Sequence, residues 1–410
     1  MVNVISEVIA SIDKHEEWRG KNCLNLIPSE NVMSPLVRSA LSSDLGHRYT
    51  SRDRFYRGTH FTDEIEERGE ELAKQVFGAE TADLRPVSGH IADLTILALA
   101  AKPNDILMCV SADDGGYIGI WEQGAPSFLQ LEVIGFPFSK ENRNIDAEKA
   151  AELIREKKPR VIVLGASLFL FPHPVKAIAE VAREIDAHVT YDGSHVLGLI
   201  AGKEFQAPLE EGATMLFGST HKSFFGPQGG IILADKEHGE AIKKNIYPAF
   251  VDNAHWNRIA ALTLALAEMK EFGKKYAKQV VKNTQALAKA LADCNFPVAC
   301  SKLGFTRSHQ ILLDFGDYKK VRTKMPASFQ KPRRKGRVVA KTLEQANIIV
   351  DCVVRLGTCE LTRRGMKQKE MFKIAEFINR VLNSREKPQR VRKEVREFMS
   401  EFQEVEFCFK

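Results

Sequence analysis

Gly218-Ser219-Thr220-His221-Lys222-Ser223-Phe224-Phe225-Gly226-Pro227-Gln228-Gly229-Gly230 lies between two apolar runs, Thr214-Met215-Leu216-Phe217 before it and Ile231-Ile232-Leu233-Ala234 after it. The pattern predicts a strand, a polar turn, a glycine-rich turn and a second strand. One lysine, Lys222, sits among hydroxyl groups and beside His221. A crowded, partly desolvated amine loses proton affinity and can attack an aldehyde. An exposed lysine in an ordinary β-turn would have the same local sequence, so the partners upstream decide between the two.

Upstream, short apolar runs alternate with segments of helical period. Leu84 to Val87, Asp105 to Ser111, Val161 to Gly165 and His188 to Asp192 read as strands. Gly89 to Ala101 and Ala177 to Ile185 read as helices. Such alternation predicts parallel pairing with crossover helices, hence an α/β sheet covered on both faces. In these sheets the chemistry gathers at the carboxyl ends of the strands. Ser88, Asp114, Ser167, Asp192 and Lys222 all fall just past such ends.

The flanks are simpler. Val4 to Trp18 has the spacing of an amphipathic helix, and Ser34-Pro35 is an N-cap followed by proline at the first helical position. Residues 46–60 are rich in arginine, tyrosine and histidine without periodicity, as in an ordered loop, and a charged helix runs from Asp63 to Phe77. Residues 254–292 form a long helical connector. Beyond it lie a strand signal at Gln310 to Phe315 and a helix at Gln368 to Leu382, as in a smaller α+β domain. Between them Lys319 to Lys341 is basic and contains proline. That segment reads either as a solvated loop or as a site for an acidic group.

The 410 residues suffice for two or three domains, and 44% hydrophobic with 27% charged residues is ordinary for a soluble protein. No apolar run approaches the length of a membrane span, and the first residues lack the features of a signal peptide. Seven cysteines without CxxC spacing point to free thiols in a reducing cytoplasm and against a metal site. A net charge of +6 is too mild to imply a nucleic-acid partner.

Pyridoxal phosphate needs a lysine for its aldehyde and a carboxylate that keeps its pyridine nitrogen protonated. It also needs small polar residues and backbone amides at a helix N-terminus for its phosphate. Asp192-Gly193-Ser194-His195 followed by His221-Lys222 has the first two in chain order, and Ser88-Gly89-His90 opens a helix after a strand. Asp192 alone could also be a helix N-cap, the lesser of the two readings.

The chain resembles serine hydroxymethyltransferases, fold-type I pyridoxal-phosphate enzymes, over nearly its whole length. The matching segments are Leu26-Ile27-Pro28-Ser29-Glu30-Asn31, Arg48-Tyr49, Phe55-Tyr56-Arg57-Gly58, Phe77-Gly78-Ala79-Glu80 and Pro86-Val87-Ser88-Gly89. They continue with Asp192 to Leu199, the lysine stretch, Arg355-Leu356-Gly357-Thr358 and Leu361-Thr362-Arg363-Arg364-Gly365. The resemblance implies a fold-type I α/β architecture with a mostly parallel central sheet in a large domain and a smaller C-terminal α+β domain. The expected spans are an N-terminal helical arm at 1–45, a large cofactor domain at 46–270 and a small domain at 271–410.

The resemblance also implies roles. Lys222 would hold the cofactor aldehyde, Asp192 the pyridine nitrogen, and His195 with Ser167 the phenolic oxygen, beside His221. Ser88, Gly89 and His90 would bind the phosphate, joined by Tyr49 from the second subunit of a homodimer with shared active sites. Arg355 and Ser29 would take the substrate carboxylate, with Tyr56 close by. A guanidinium suits that task because it grips a carboxylate bidentately, although a structural ion pair would also explain it.

The chain departs from the family at four places. The transfer glutamate's region reads Tyr49-Thr50-Ser51-Arg52-Asp53-Arg54, where Asp53 is the nearest carboxylate. The residue covering the ring falls at Asp114 or Tyr117. The asparagine-rich pterin loop before Arg355 is absent, and a Gly-Gly turn reads Tyr247-Pro248-Ala249-Phe250-Val251-Asp252-Asn253. The expected enzyme therefore works at the Cα–Cβ bond of serine, glycine or a related β-hydroxy amino acid. Whether it uses a folate or modified tetrahydropterin, with the basic segment holding its acidic tail, stays open. A pterin-independent aldolase, β-elimination and aminotransfer are alternatives on the same fold, and a non-catalytic protein binding nucleic acid through the basic segment is an alternative of another class.

Overall fold

Strands that are apolar at every position need cover on both faces, and the helices between them provide it. The computed structural model describes residues 2–50, 55–315 and 332–410. The chain divides into two compact units, one of Asn31–Lys278 with Phe407–Lys410, the other of Met1–Glu30 with Gln279–Glu406.

In the larger unit seven strands form one sheet: β1 (Thr81–Asp83), β2 (Ile106–Cys109), β3 (Glu132–Gly135), β4 (Val161–Leu164), β5 (His188–Asp192), β6 (Met215–Ser219) and β7 (Gly230–Ala234). Their order is β1-β7-β6-β5-β4-β2-β3. β4, β6 and β7 are buried at every position. All pairings are parallel except those of β7, which runs antiparallel to β6 and β1. The reversal follows from the lysine stretch itself. Only Thr220–Gly229 joins β6 to β7, and a parallel crossover needs about a dozen residues or more.

The first strand lies earlier than expected, at Thr81–Asp83 rather than Leu84 to Val87. Pro86 lacks an N–H for a ladder, and its carbonyl instead accepts from Gly230 N–H at 2.9 Å. The chain then enters the Gly89–Ala100 helix, whose Ala92, Ile96 and Leu97 pack in one core with Val161, Val163 and Phe217. Ser34 caps the Pro35–Leu41 helix by accepting from Val37 N–H at 3.1 Å, as its sequence predicts.

The smaller unit has its own core, including Leu24, Leu26, Ile311, Leu356, Ile374, Ile378, Val391 and Val395. Leu24–Asn25 pairs in parallel with Ile348–Ile349, which ties the N-terminal stretch to this unit. Phe407 and Phe409 meet Tyr276 and Phe272 edge-on, which ties the last residues to the larger one. The units therefore do not follow the spans 1–45, 46–270 and 271–410. The boundary falls inside the Trp256–Asp293 helix, the expected connector. Gln310–Leu312 pairs antiparallel with Arg355–Gly357, and Gln368–Leu382 is helical as predicted.

Of the basic segment, 316–331 lies outside the described residues. Pro332–Glu344 is a helix rather than a solvated loop, because Val339 and Leu343, one turn apart, bury themselves in the core. The helix Val2–His15 leaves Val4, Ile5, Val8, Ile9 and Ile12 exposed, each by more than half.

Candidate active site

The carboxyl ends of β5 and β6 are stitched together by side-chain oxygens that accept from backbone N–H groups. Asp192 closes β5, and its Oδ1 accepts from Ser194 N–H at 2.9 Å. Ser194 Oγ in turn accepts from Ser219 N–H at 2.9 Å, at the end of β6. Gly218 must lack a side chain here, since a Cβ would stand 2.6 Å from Ser194 N. Asp192 and His195 are buried at the same turn.

Past β6 the turn is fixed from within. Thr220 Oγ1 donates to Pro227 O at 2.7 Å, and Gly226 N–H to Thr220 O at 2.8 Å. Asn31 Nδ2 donates to Lys222 O at 2.9 Å, and Tyr276 Oη to Ser223 O at 3.0 Å. Lys222 and His221 are thus half-buried on a braced turn. Burial, helped by the Lys222 charge, pushes the His221 imidazole down to about 4. Its Nδ1 is buried with no hydrogen-bond partner among the described residues.

The Gly89–Ala100 helix starts against the same edge. Ser88 is its N-cap, with Oγ accepting from Ile91 N–H at 3.1 Å. The first N–H groups of a helix have no partner within it, so those of Gly89 and His90 face outward from the cap. A Cβ on Gly89 would meet Ser219 Oγ at 2.3 Å, and one on Gly230 would meet Ser88 O at 2.4 Å. These glycines let the helix start, β6 and β7 close into one cradle.

Two residues here escaped the sequence reading. Asp93, one turn inside that helix, is buried, with Oδ2 3.6 Å from His90 Nδ1. Burial first, and the nearby Asp192 charge second, push its carboxyl up to about 7, while His90 and, less strongly, the Lys222 charge oppose them. His90 is raised by its contact with Asp93. The only sequence signal for Asp93 was an aspartate three residues after a helix-opening histidine. The second is His173, whose Nδ1 accepts from Gly165 N–H at 3.2 Å. Gly165, at φ +125, follows β4 and lies so close to Asp192 that a Cβ would meet its carbonyl oxygen at 2.3 Å.

Asp114 and Tyr117 lie differently. Asp114 Oδ2 accepts from Ser111 Oγ at 2.7 Å inside a short turn. The Tyr117 ring stands edge-on to His90, with centroids 6.0 Å apart. Its hydroxyl is pushed up to about 12 by burial and by the charges of Asp93 and Asp192. Tyr117, rather than Asp114, therefore shares the field of the central carboxylates. Ser167 N–H donates to Gly115 O at 2.9 Å, holding the turn after β4 to the one after β2.

Tyr49 and Tyr56 pack on each other with centroids 5.4 Å apart on an exposed aromatic surface, and Asp53 lies outside the described residues. In the smaller unit Arg355 Nε donates to Asp351 Oδ2 at 2.8 Å, so its fork is already oriented by a carboxylate. Ser29 follows Pro28, and a Cβ on Gly357, two residues past Arg355, would stand 2.5 Å from Pro28 Cα. That unit thus brings Ser29 and Arg355 onto neighbouring segments.

The larger unit fits pyridoxal phosphate on its own geometry. It combines a lysine on a braced turn, a buried carboxylate at a strand end and a glycine-lined helix N-terminus, with one buried ring nitrogen of His221 unpartnered among the described residues.

Comparison with known proteins agrees. The family described as serine hydroxymethyltransferase matches residues 2–378. A serine hydroxymethyltransferase of Methanocaldococcus jannaschii is 44% identical over 97% of this chain and 94% of its own. That of Methanopyrus kandleri is 42% identical over 99% and 95%, and that of Thermococcus kodakarensis 42% over 98% and 95%. Among solved structures, an L-threonine transaldolase from Pseudomonas fluorescens, determined in its internal aldimine state, superposes with a TM-score of 0.87. It is 26% identical and covers 100% of this chain and 96% of that one.

Proposed function

The chain belongs to the serine hydroxymethyltransferase family, and from that premise we propose that it is a pyridoxal-phosphate enzyme that breaks and forms the Cα–Cβ bond of serine or a related β-hydroxy amino acid. The observation that carries the proposal is the braced Lys222 turn beside the buried Asp192 and the Ser88–Gly89–His90 cradle. Pyridoxal phosphate supplies the electron sink for the pair left on Cα when that bond breaks.

This chain's residues do the rest. Lys222 would offer the amine that holds the cofactor aldehyde. Asp192 keeps a proton at the pyridine nitrogen, and burial strengthens that interaction. The helix N-terminus, with Ser88, Gly89 and His90, holds the phosphate. His195, His221 and Ser167 line the phenolic side, and Tyr117 supplies the ring neighbour that Asp114, bound to Ser111, does not. Arg355, assisted by Ser29, takes the α-carboxylate and so fixes which Cα bond is weakened. Tyr56 would lie close by.

A homodimer with shared sites completes the proposal, with Tyr49 reaching the phosphate held by the second copy. The exposed aromatic group of Tyr49, Phe55, Tyr56 and Phe61 supports it. Seven cysteines without CxxC spacing suit a cytoplasmic location, and no helix among the described residues is long and apolar enough to cross a membrane. The relatives compared are enzymes, so binding of nucleic acid as the main role has no support.

One second reading has an observation of its own. The threonine transaldolase likeness, with the altered pterin segments, favours aldol chemistry without tetrahydropterin. A single panel tests both. Wild-type protein incubated with pyridoxal phosphate gains an absorbance band near the visible edge, and Lys222→Ala does not. The absence of that band in wild type sinks the proposal. Cleavage of serine that depends strictly on tetrahydropterin identifies the transferase, and cleavage of allo-threonine or phenylserine without it identifies the aldolase. Pyruvate or a keto acid as the sole product would instead identify elimination or aminotransfer.

A further inference from the structure

The Asp93 carboxylate has no role in the reactions above, yet it sits at their centre. It lies one turn inside the Gly89–Ala100 helix and is only 2% exposed, where an ionised carboxylate without a cation partner is costly. The groups facing it come from four places: His90 on its own helix, Tyr117 after β2, Asp192 at the end of β5 and Lys222 after β6. Asp192 is a like charge, and Tyr117 is a neutral phenol. Of the two cations, Lys222 is committed to the cofactor aldehyde, which leaves His90 as the standing partner. Asp93 Oδ2 is 3.6 Å from His90 Nδ1, an ion-pair distance. Its Oδ1 has no hydrogen-bond partner among the described residues. His90 itself is 44% exposed at the helix start, edge-on to Tyr117.

We propose that Asp93 is a positioning residue that acts through His90: its carboxylate holds the imidazolium by Nδ1, one helical turn away, and aims Nε2 outward as a donor to the cofactor phosphate. The i,i+3 spacing places the two side chains on one face of the helix, and a cation beside the first free N–H groups adds charge where a phosphate binds. Nδ1 faces the carboxylate, so Nε2 is the nitrogen left for the ligand. The inference rests on the pyridoxal-phosphate reading of the site.

The test uses cofactor-free protein and needs no turnover. Side-chain NMR follows His90 through pH, with His90→Gln identifying its signal, and fluorescence titration gives the dissociation constant of pyridoxal phosphate from pH 6 to 9. His90 in wild type should titrate above about 6.5, the ordinary histidine value, and Asp93→Asn should lower that midpoint. Asp93→Asn and His90→Gln should each weaken cofactor binding by about tenfold. The double variant should be no weaker than His90→Gln alone, because the aspartate acts only through the histidine.

Additive losses in the double variant would overturn the inference, as would an unchanged His90 midpoint in Asp93→Asn. A wild-type His90 that titrates at or below the ordinary value would do so without any variant. If wild type binds no pyridoxal phosphate, the reading of the site fails and takes the inference with it. If wild type binds and Asp93→Asn matches it, the inference alone fails.

Discussion

His173 shows how one buried side chain can set a catalytic edge from behind. Its Nδ1 accepts from Gly165 N–H, so the neutral ring is the form the fold uses, and burial pushes it down to about 3. Gly165 in turn stands against the Asp192 carbonyl at a φ of +125, where a side chain would strain the backbone and collide. The sign of the pH effect follows. The unfolded chain takes up a proton below about 6.5 while the native ring stays neutral, so stability is full above that pH and falls as pH drops toward 3. Urea unfolding of cofactor-free protein between pH 4.5 and 7.5 should show wild type losing up to about 1.4 kcal/mol per pH unit relative to His173→Asn. Equal slopes would mean that the native ring protonates freely. Lys222, Asp192 and the Ser88–His90 trio could be proposed residue by residue, because the chemistry proposed for them is local to short motifs. Asp93 and His173 were not, since an aspartate in a helix and a histidine in a loop carry no mark until a neighbour from a distant strand closes over them.

At the level of elements, the start of the Gly89–Ala100 helix is the proposed phosphate end of the site. Ser88→Ala removes the cap and should cost about 1 kcal/mol of stability in a chemical denaturation curve. Gly89→Ala acts differently, because its Cβ would fall 2.3 Å from Ser219 Oγ and 3.0 Å from Ser219 N. It should push the helix start off the end of β6 and weaken pyridoxal phosphate binding by tenfold or more, as read by fluorescence titration. Wild-type affinity in the Gly89→Ala variant would show that the cradle can relax. The strand β4 was legible because a run buried on both faces, Val161–Leu164, is apolar throughout. The placement of β1 was not, since Leu84 to Val87 is as apolar as a strand but holds a proline and turns into the helix cap. The reversal of β7 could have been read from the short lysine turn, which is too brief for a crossover.

Among the described residues, two stretches carry several exposed apolar side chains close together in sequence. The N-terminal helix exposes Val4, Ile5, Val8, Ile9 and Ile12 along one face, although that spacing predicts a buried stripe. The larger unit exposes Tyr49, Phe55, Tyr56 and Phe61. Under the proposed homodimer, Ile5→Asp with Ile9→Asp should shift sedimentation from dimer to monomer, and a wild-type monomer at micromolar concentration would refute the shared site. The sequence by itself determined the α/β class, the order of lysine, aspartate and arginine motifs, and the cofactor they imply, because these depend on residue type and spacing along the chain. Only the tertiary structure decided which residues meet. It put Asp93 under His90, Tyr117 rather than Asp114 beside the carboxylates, and the first strand of the smaller unit at Leu24–Asn25. Those outcomes depend on burial and on contacts between residues far apart in sequence, where desolvation and neighbouring charge are fixed only once the chain has closed on itself.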